Sequence, residues 1–215
     1  MFYVSAMPRV KLRRAGYERG KIMPPKAKFD KEEIIEAALT LVRREGFSAL
    51  TARALAGELG SSPRPIFTVF QSMEEVQDEV LKAAREHYNG YVRKGLTKTD
   101  GPRFKGVGEQ YIRFAVEEPK LFALLFMREQ GGQPDIDNIL PVIDENYEEI
   151  LSSIVEGYGI SGADAGRLYE HLWIYTHGIA TLLATKTCCF TPEQIGKRMT
   201  EIFTGLLREI KNSRK

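Results

Sequence analysis

Residues 51–70 hold the side chains best suited to reading a nucleic acid. Thr51, Ser62, Arg64 and Thr68 bring hydroxyls and a planar guanidinium into a twenty-residue span, interleaved with Pro63 and Phe67. An arginine can bond guanine through two parallel N–H groups, worth ~1–3 kcal/mol of discrimination. Hydroxyls at helix N-termini join free backbone N–H groups in binding phosphate oxygens. Such a surface needs small or apolar residues beneath it, so that two short helices can cross closely. Ala56, Gly60 and Ile66 answer that need. The span therefore has the layout of a helix-turn-helix reader facing a major groove. An ordinary helix pair, in which Thr51 and Ser62 only cap, fits the same residues and stays open.

A second set lies in the C-terminal half. Tyr111, Phe114, Phe122, Phe126, Met127, Trp173 and His177 suit an apolar cavity with a few polar tips. An aromatic stripe at helical spacing suits plain core equally well. His177 can also be a buried histidine bonded to nearby backbone.

Catalytic and metal chemistry finds little support. His87, His171 and His177 show no zinc spacing with Cys188 and Cys189. The adjacent cysteines suit a redox sensor or, more commonly, small buried thiols. The run Gly106-Val107-Gly108 lacks the third glycine and the preceding strand of a phosphate-cradling loop. Ser152-Ser153 has no base at a recognisable spacing, and Glu148-Glu149 suits a solvated helix face. No catalytic residue, metal or cofactor is expected.

These residues need helices to position them, and helical periodicity runs through nearly the whole chain. Asp30 and Glu33 form a capping box, with Phe29 and Ile34 as its hydrophobic staple. Ile34, Ala37, Ala38, Leu41 and Val42 then make one apolar stripe, and Gly46 ends the helix in a left-handed conformation. Thr51 caps a second, short helix that Gly60 breaks. Ser62 caps a third, with Pro63 and Pro65 where no intrahelical donor is needed. Ser72 and Glu75 form a second capping box that opens a fourth helix. Five more helices are expected at 103–117, 119–127, 136–156, 163–187 and 192–211. Pro141 either shifts the start of the third of these or kinks it.

Composition narrows the class. The 215 residues are 43% hydrophobic, which suits a packed core, and two neighbouring cysteines make no disulfide framework. No run reaches the ~18 apolar residues of a membrane span, and no apolar signal segment is present. A cytoplasmic protein is expected. The net charge of +2 hides a basic leader: residues 1–28 hold eight basic residues and only Glu18 as an acid. Such a tail beside a folded domain touches nucleic acid or is simply solvated.

Residues 29–81 resemble the DNA-binding domain of the tetracycline-repressor (TetR/AcrR) family of transcriptional regulators. The resemblance is carried by Ile34-Ile35-Glu36-Ala37-Ala38, by the run from Glu45-Gly46-Phe47 to Ala52-Arg53, and by Leu55-Ala56 with Leu59-Gly60. The nine residues from Ser62 to Phe70 and Ser72-Met73-Glu74-Glu75-Val76 complete it. The family usually has Tyr where Phe67 stands and often Lys where Met73 stands, so two phosphate contacts are missing. The second half is similar to one TetR subgroup at Glu118-Pro119-Lys120-Leu121-Phe122 and at Leu172-Trp173-Ile174-Tyr175-Thr176-His177-Gly178. The resemblance implies a homodimer through the last two helices and a pocket for a small-molecule effector. Local pattern agrees in part. The apolar residues of 163–187, and Ile195, Met199, Ile202, Phe203, Leu206 and Leu207 after them, cover more than one internal face. A thick monomeric core fits that breadth too.

The expectation is an all-α chain. A basic extension (1–28) precedes a helix-turn-helix domain (29–75), and a helical ligand-binding and dimerisation domain (76–215) follows, with the fourth helix bridging the two. The expected partners are double-stranded operator DNA and an unknown effector. A helical interaction module and a helical enzyme are the competing classes. If the basic leader contributes phosphate contacts, deleting residues 1–23 will flatten the salt dependence of DNA binding. An unchanged slope in a salt titration excludes the leader.

Overall fold

The computed structural model describes residues 28–129, 135 and 139–213. Every regular element among them is helical. The helices are α1 (Lys31–Glu45), α2 (Ala52–Glu58), α3 (Met73–Leu96), α4 (Arg103–Glu117), α5 (Pro119–Phe126), α6 (Ile139–Ile143), α7 (Tyr147–Tyr158), α8 (Gly162–Ala184) and α9 (Pro192–Asn212). Short 3-10 turns lie at Phe47–Ala49 and Ile66–Thr68. The basic leader up to residue 27, the glycine-rich loop at 131–134 and the expected helix start at 136 lie outside the described residues.

The first helix begins as its sequence dictates. The Asp30 carboxylate accepts from Glu33 N–H at 2.8 Å, and the Glu33 carboxylate accepts from Asp30 N–H at 2.9 Å. Ile34, Ala38, Leu41 and Val42 are buried. Gly46 ends it at φ 96° and ψ 166°. That is a glycine-only region, but not the left-handed helical one expected. Gly60, at φ 58°, ends the second helix in the left-handed region.

Three expected elements come out differently. The proline-bearing segment is a 3-10 turn rather than an α-helix, with Ile66 N–H bonded to the Pro63 carbonyl and Thr68 N–H to the Pro65 carbonyl. Pro63 and Pro65 lack donors, and Pro65 also disfavours the helical region at Arg64, so tighter i→i+3 closure wins. Pro65, not Ser62, occupies the cap position, and no side chain caps this turn. At α3 the second capping box is half made. Ser72 accepts from Glu75 N–H at 3.3 Å, while the Glu75 carboxylate takes Gln71 N–H at 2.6 Å. The expected helix ending at 156 is broken into α6, which holds Pro141, and α7, which runs on to Tyr158. Gly157 is inside α7, and Gly159 at φ 65° is the stop.

Helix α3 is the spine. Its 24 residues span ~36 Å at 1.5 Å per residue. Val76 and Val80 pack under α1, and Tyr88, Tyr91 and Val92 enter the second half. The expected boundary at 75–76 thus falls inside one continuous helix. Helix α4 lies along the far part of α3, and α8 backs α4. At the α3–α4 crossing the backbones themselves meet. A Cβ on Gly95 would stand 2.6 Å from Val107 N.

That crossing has a measurable consequence. Gly95→Ala is expected to lower the unfolding free energy by about 1–3 kcal/mol, because overpacking outweighs better helix propensity. Gly90→Ala, on the same helix with open space around it, should raise it by about 0.5–1 kcal/mol. Urea titration of both variants checks the sign at each site.

Candidate nucleic-acid interface and interior cavity

The N-terminal surface is built by a buried floor. Leu55 and Ala56 of α2, then Ile66 and Phe70, are buried at 0–2% exposure. Thr51 caps α2, its hydroxyl oxygen accepting from Ala54 N–H at 3.2 Å. The chain turns back through Gly60, and Ser61 N–H bonds the Ala56 carbonyl at 2.9 Å. With this floor buried, the intervening side chains are left toward solvent. Ser62, Pro63, Arg64, Phe67 and Thr68 are all exposed, as is Thr51. Phe67 keeps 45% of its surface in solvent, high for an aromatic residue beside a core. Thr68 donates its hydroxyl to the Pro65 carbonyl at 2.6 Å, which leaves its oxygen outward as an acceptor. Lys28, which the sequence pattern did not single out, reaches Ser61 Oγ at 3.0 Å and carries charge to the edge of this surface. The six residues expected at an interface are therefore all exposed around this buried floor.

A buried ionic junction ties this end to the second half. Glu118, at the break between α4 and α5, is 7% exposed. Arg43 of α1 donates to both of its oxygens, with Nε at 2.8 Å from Oε2 and Nη2 on Oε1. His87 Nε2 of α3 stands 3.3 Å from Oε1. The hydrogen bond to Glu118 holds the Arg43 guanidinium more firmly protonated than usual. Helices α1, α3, α4 and α5 thus meet on one carboxylate.

The second half holds a partly open, apolar cavity of about 790 Å³. Helix α4 contributes Phe104, Val107, Tyr111 and Ile112, α8 contributes Tyr169, Leu172, Trp173 and Thr176, and α9 contributes Ile195, Met199 and Phe203. Tyr88 of α3 and Tyr158 of α7 complete it. Of the seven residues expected to touch a ligand, Tyr111 and Trp173 stand in this wall. Phe114 and Phe122 are fully buried behind it. Phe126 packs on Tyr88 and Tyr111 with ring centroids 5.1 and 5.4 Å apart. His177 is sandwiched between Trp173, at 5.0 Å, and Phe122, at 5.7 Å. Met127 lies past the end of α5, 41% exposed. Helical spacing marks a stripe, but residues three apart are turned ~60° from each other, so Tyr111 meets the cavity while Phe114 meets α3.

Polar groups in the wall are few. The Tyr111 hydroxyl stands 2.9 Å from His177 Nδ1, so the histidine is bonded to a side chain rather than to backbone. Burial pushes the His177 imidazole below its ordinary pKa, favouring the neutral ring. Burial also drives the Tyr111 phenol well above its ordinary value. Helix α9 leaves an apolar face only half-covered, with Ile195, Met199, Ile202, Phe203, Leu206 and Leu207 intermediate in exposure. Ile174 of α8 is 45% exposed and Leu182 is 36% exposed. Cys188 and Cys189, expected to be buried, are both exposed in the α8–α9 connection. The helix ends at Ala184 and carries them out of the core.

Two family patterns match the chain. Residues 34–80 match the bacterial regulatory proteins of the tetR family, and residues 104–210 match the tetracyclin repressor-like C-terminal domain. The uncharacterized HTH-type transcriptional regulator Rv0681 of Mycobacterium tuberculosis is 24% identical over 173 residues, covering 80% of this chain and 78% of that protein. A crystal structure of a protein assigned to the TetR family, from Mesorhizobium loti, is 16% identical, with a TM-score of 0.47 over 82% of this chain and 94% of that one.

The Glu118 junction can be tested directly. Arg43→Met leaves a buried carboxylate with His87 as its remaining side-chain partner. The unfolding free energy is expected to fall by about 1–3 kcal/mol. The lower end is favoured, because the Arg43 side chain is 46% exposed and solvent screens the pair. Urea unfolding of the variant reads the loss, and an unchanged midpoint would show that the junction does not hold the halves together.

Proposed function

The chain belongs to the TetR family of transcriptional regulators, a non-enzymatic family, and from that premise we propose that it is a ligand-responsive repressor acting as a homodimer on a palindromic operator. The observation that carries this reading is the exposure of Ser62, Arg64, Phe67 and Thr68 above a buried Ile66 and Phe70. A short rigid segment with polar and planar groups outward is what major-groove readout needs. Thr51 and Ser62 offer hydroxyl donors to phosphates, Thr68 turns its acceptor oxygen to a base-edge donor, Pro63 stiffens the segment, Phe67 offers an apolar face to a thymine methyl, and Arg64 reads guanine.

The half-covered apolar face of α9, with Ile174 and Leu182 on α8, supports a dimer through these two helices. Two such faces would build a four-helix interface. A symmetric pair then sets its readers one helical turn of ~34–36 Å apart. The cavity between α4, α8 and α9 supports an effector site. Tyr111 and Trp173 contact the effector directly, while Phe114, Phe122, Phe126, Met127 and His177 shape the wall from behind or from its margin. Within the family we assign the chain to the subgroup marked by Trp173, His177 and Gly178. Its place is the cytoplasm, where a bacterial operator lies; no helix among the described residues is long and apolar enough to cross a membrane.

An effector that prefers a conformer with a different reader spacing releases DNA by population shift, and only to the extent of that preference. Helix α4 both lines the cavity and ends at Glu118, so a shift of α4 reaches α1 through Arg43.

A gel shift on the gene's own upstream region, with a salt titration, tests the reading. Specific retention above the background on scrambled DNA is expected. Arg64→Ala should weaken specific binding by ~1–3 kcal/mol while leaving the dimer intact by sedimentation. No specific complex at low salt would overturn the regulator reading in favour of a helical interaction module.

A further inference from the structure

Behind the inner wall of the cavity lies a carboxylate that the reading above does not use. Asp144, in the turn after α6, is 3% exposed. The Tyr169 hydroxyl donates to its Oδ2 at 2.8 Å, and the Asn146 backbone N–H donates to its Oδ1 at 3.0 Å. Among the described residues no cation pairs with it. Arg85, the nearby guanidinium, donates instead to the Ile143 carbonyl at 3.0 Å.

The charge of Asp144 reaches the cavity. Tyr88, Tyr111 and Tyr169 all stand in the wall. Each phenol is raised above its ordinary pKa, first by burial and next by the Asp144 charge. In a low-dielectric wall such a field is weakly screened. The remaining charges lie at the mouth and are paired, Lys105 with Glu109 and Arg113 with Glu117. The mouth is therefore near neutral and the floor negative. Seven aromatic side chains border the space between.

We propose that this cavity takes a lipophilic organic cation, a tertiary or quaternary ammonium or a comparable delocalised cation, held on aromatic faces above the buried Asp144–tyrosine network. This rests on the effector reading of the same cavity and specifies its ligand class. Ring faces attract cations and repel anions, most strongly where water is excluded. A cation whose charge is spread over an apolar body loses little hydration on entry and fills apolar space as it does so. A neutral molecule gains only the apolar burial, and an anion meets both the ring faces and the carboxylate with the wrong sign.

Trp173, the single tryptophan of the chain, stands in the wall and reports occupancy of the full-length protein by fluorescence. Tetraphenylphosphonium and tetraphenylborate have the same shape and opposite charge. The phosphonium is expected to quench Trp173 saturably and to bind roughly tenfold or more tightly than the borate. Asp144→Asn should narrow that preference several-fold. Should that variant fail to fold by circular dichroism, Tyr169→Phe keeps the ring, breaks one link to the carboxylate and should narrow it less. Equal binding of the two ions, tighter binding of the borate, no quenching by either, or a preference unchanged in a folded variant each overturns the cation assignment. The regulator reading fails separately, in the operator gel shift performed with no ligand present.

Discussion

The backbone contact between Gly95 and Gly106 is the constraint on which the remaining geometry rests. Two helices can approach this closely only where neither carries a side chain at the crossing. Once α4 is seated against α3, its Tyr111 face is turned to the cavity and its C-terminal end at Glu118 is delivered to Arg43. Because α3 is continuous from the Ser72 cap to Leu96, the same crossing relates the cavity wall to the surface that carries Arg64. A looser crossing would leave both ends folded but unregistered.

The junction at Glu118 adds direction to that frame. A carboxylate removed from water is costly unless its oxygens are bonded, and here donors arrive from two helices. The bidentate grip of Arg43 fixes angle as well as distance, which a lone lysine could not do. The helix that lines the cavity is thereby joined to α1 through an ion pair 75 residues apart in sequence.

The proline-bearing segment shows how a local conflict is resolved. Pro63 and Pro65 suit a helix start by their missing donors but oppose it at Arg64. The chain settles on a 3-10 turn, which needs fewer consecutive donors. Burial of Ile66 and Phe70 then holds the turn in place, and the exposed residues between them inherit its orientation. The prolines thus trade helix length for stiffness.

Much of the architecture was legible in the chain itself. The caps at Asp30 and Thr51 and the breaks at Gly46 and Gly60 depend on bonds made within a few residues, so their sequence signals are nearly complete. The helix-turn-helix anchors are short-range too, which is why the family resemblance over residues 29–81 was visible in the sequence. Tertiary structure alone decided which aromatics face the cavity, because Tyr111 and Phe114 share a stripe and only the crossing of α3 and α4 separates them. It also placed Asp144 beneath Tyr88 and Tyr169, brought Arg43 to Glu118, and left Cys188 and Cys189 in solvent. The Arg43–Glu118 and Asp144–Tyr169 pairs join segments 75 and 25 residues apart, where periodicity carries no information and packing geometry decides.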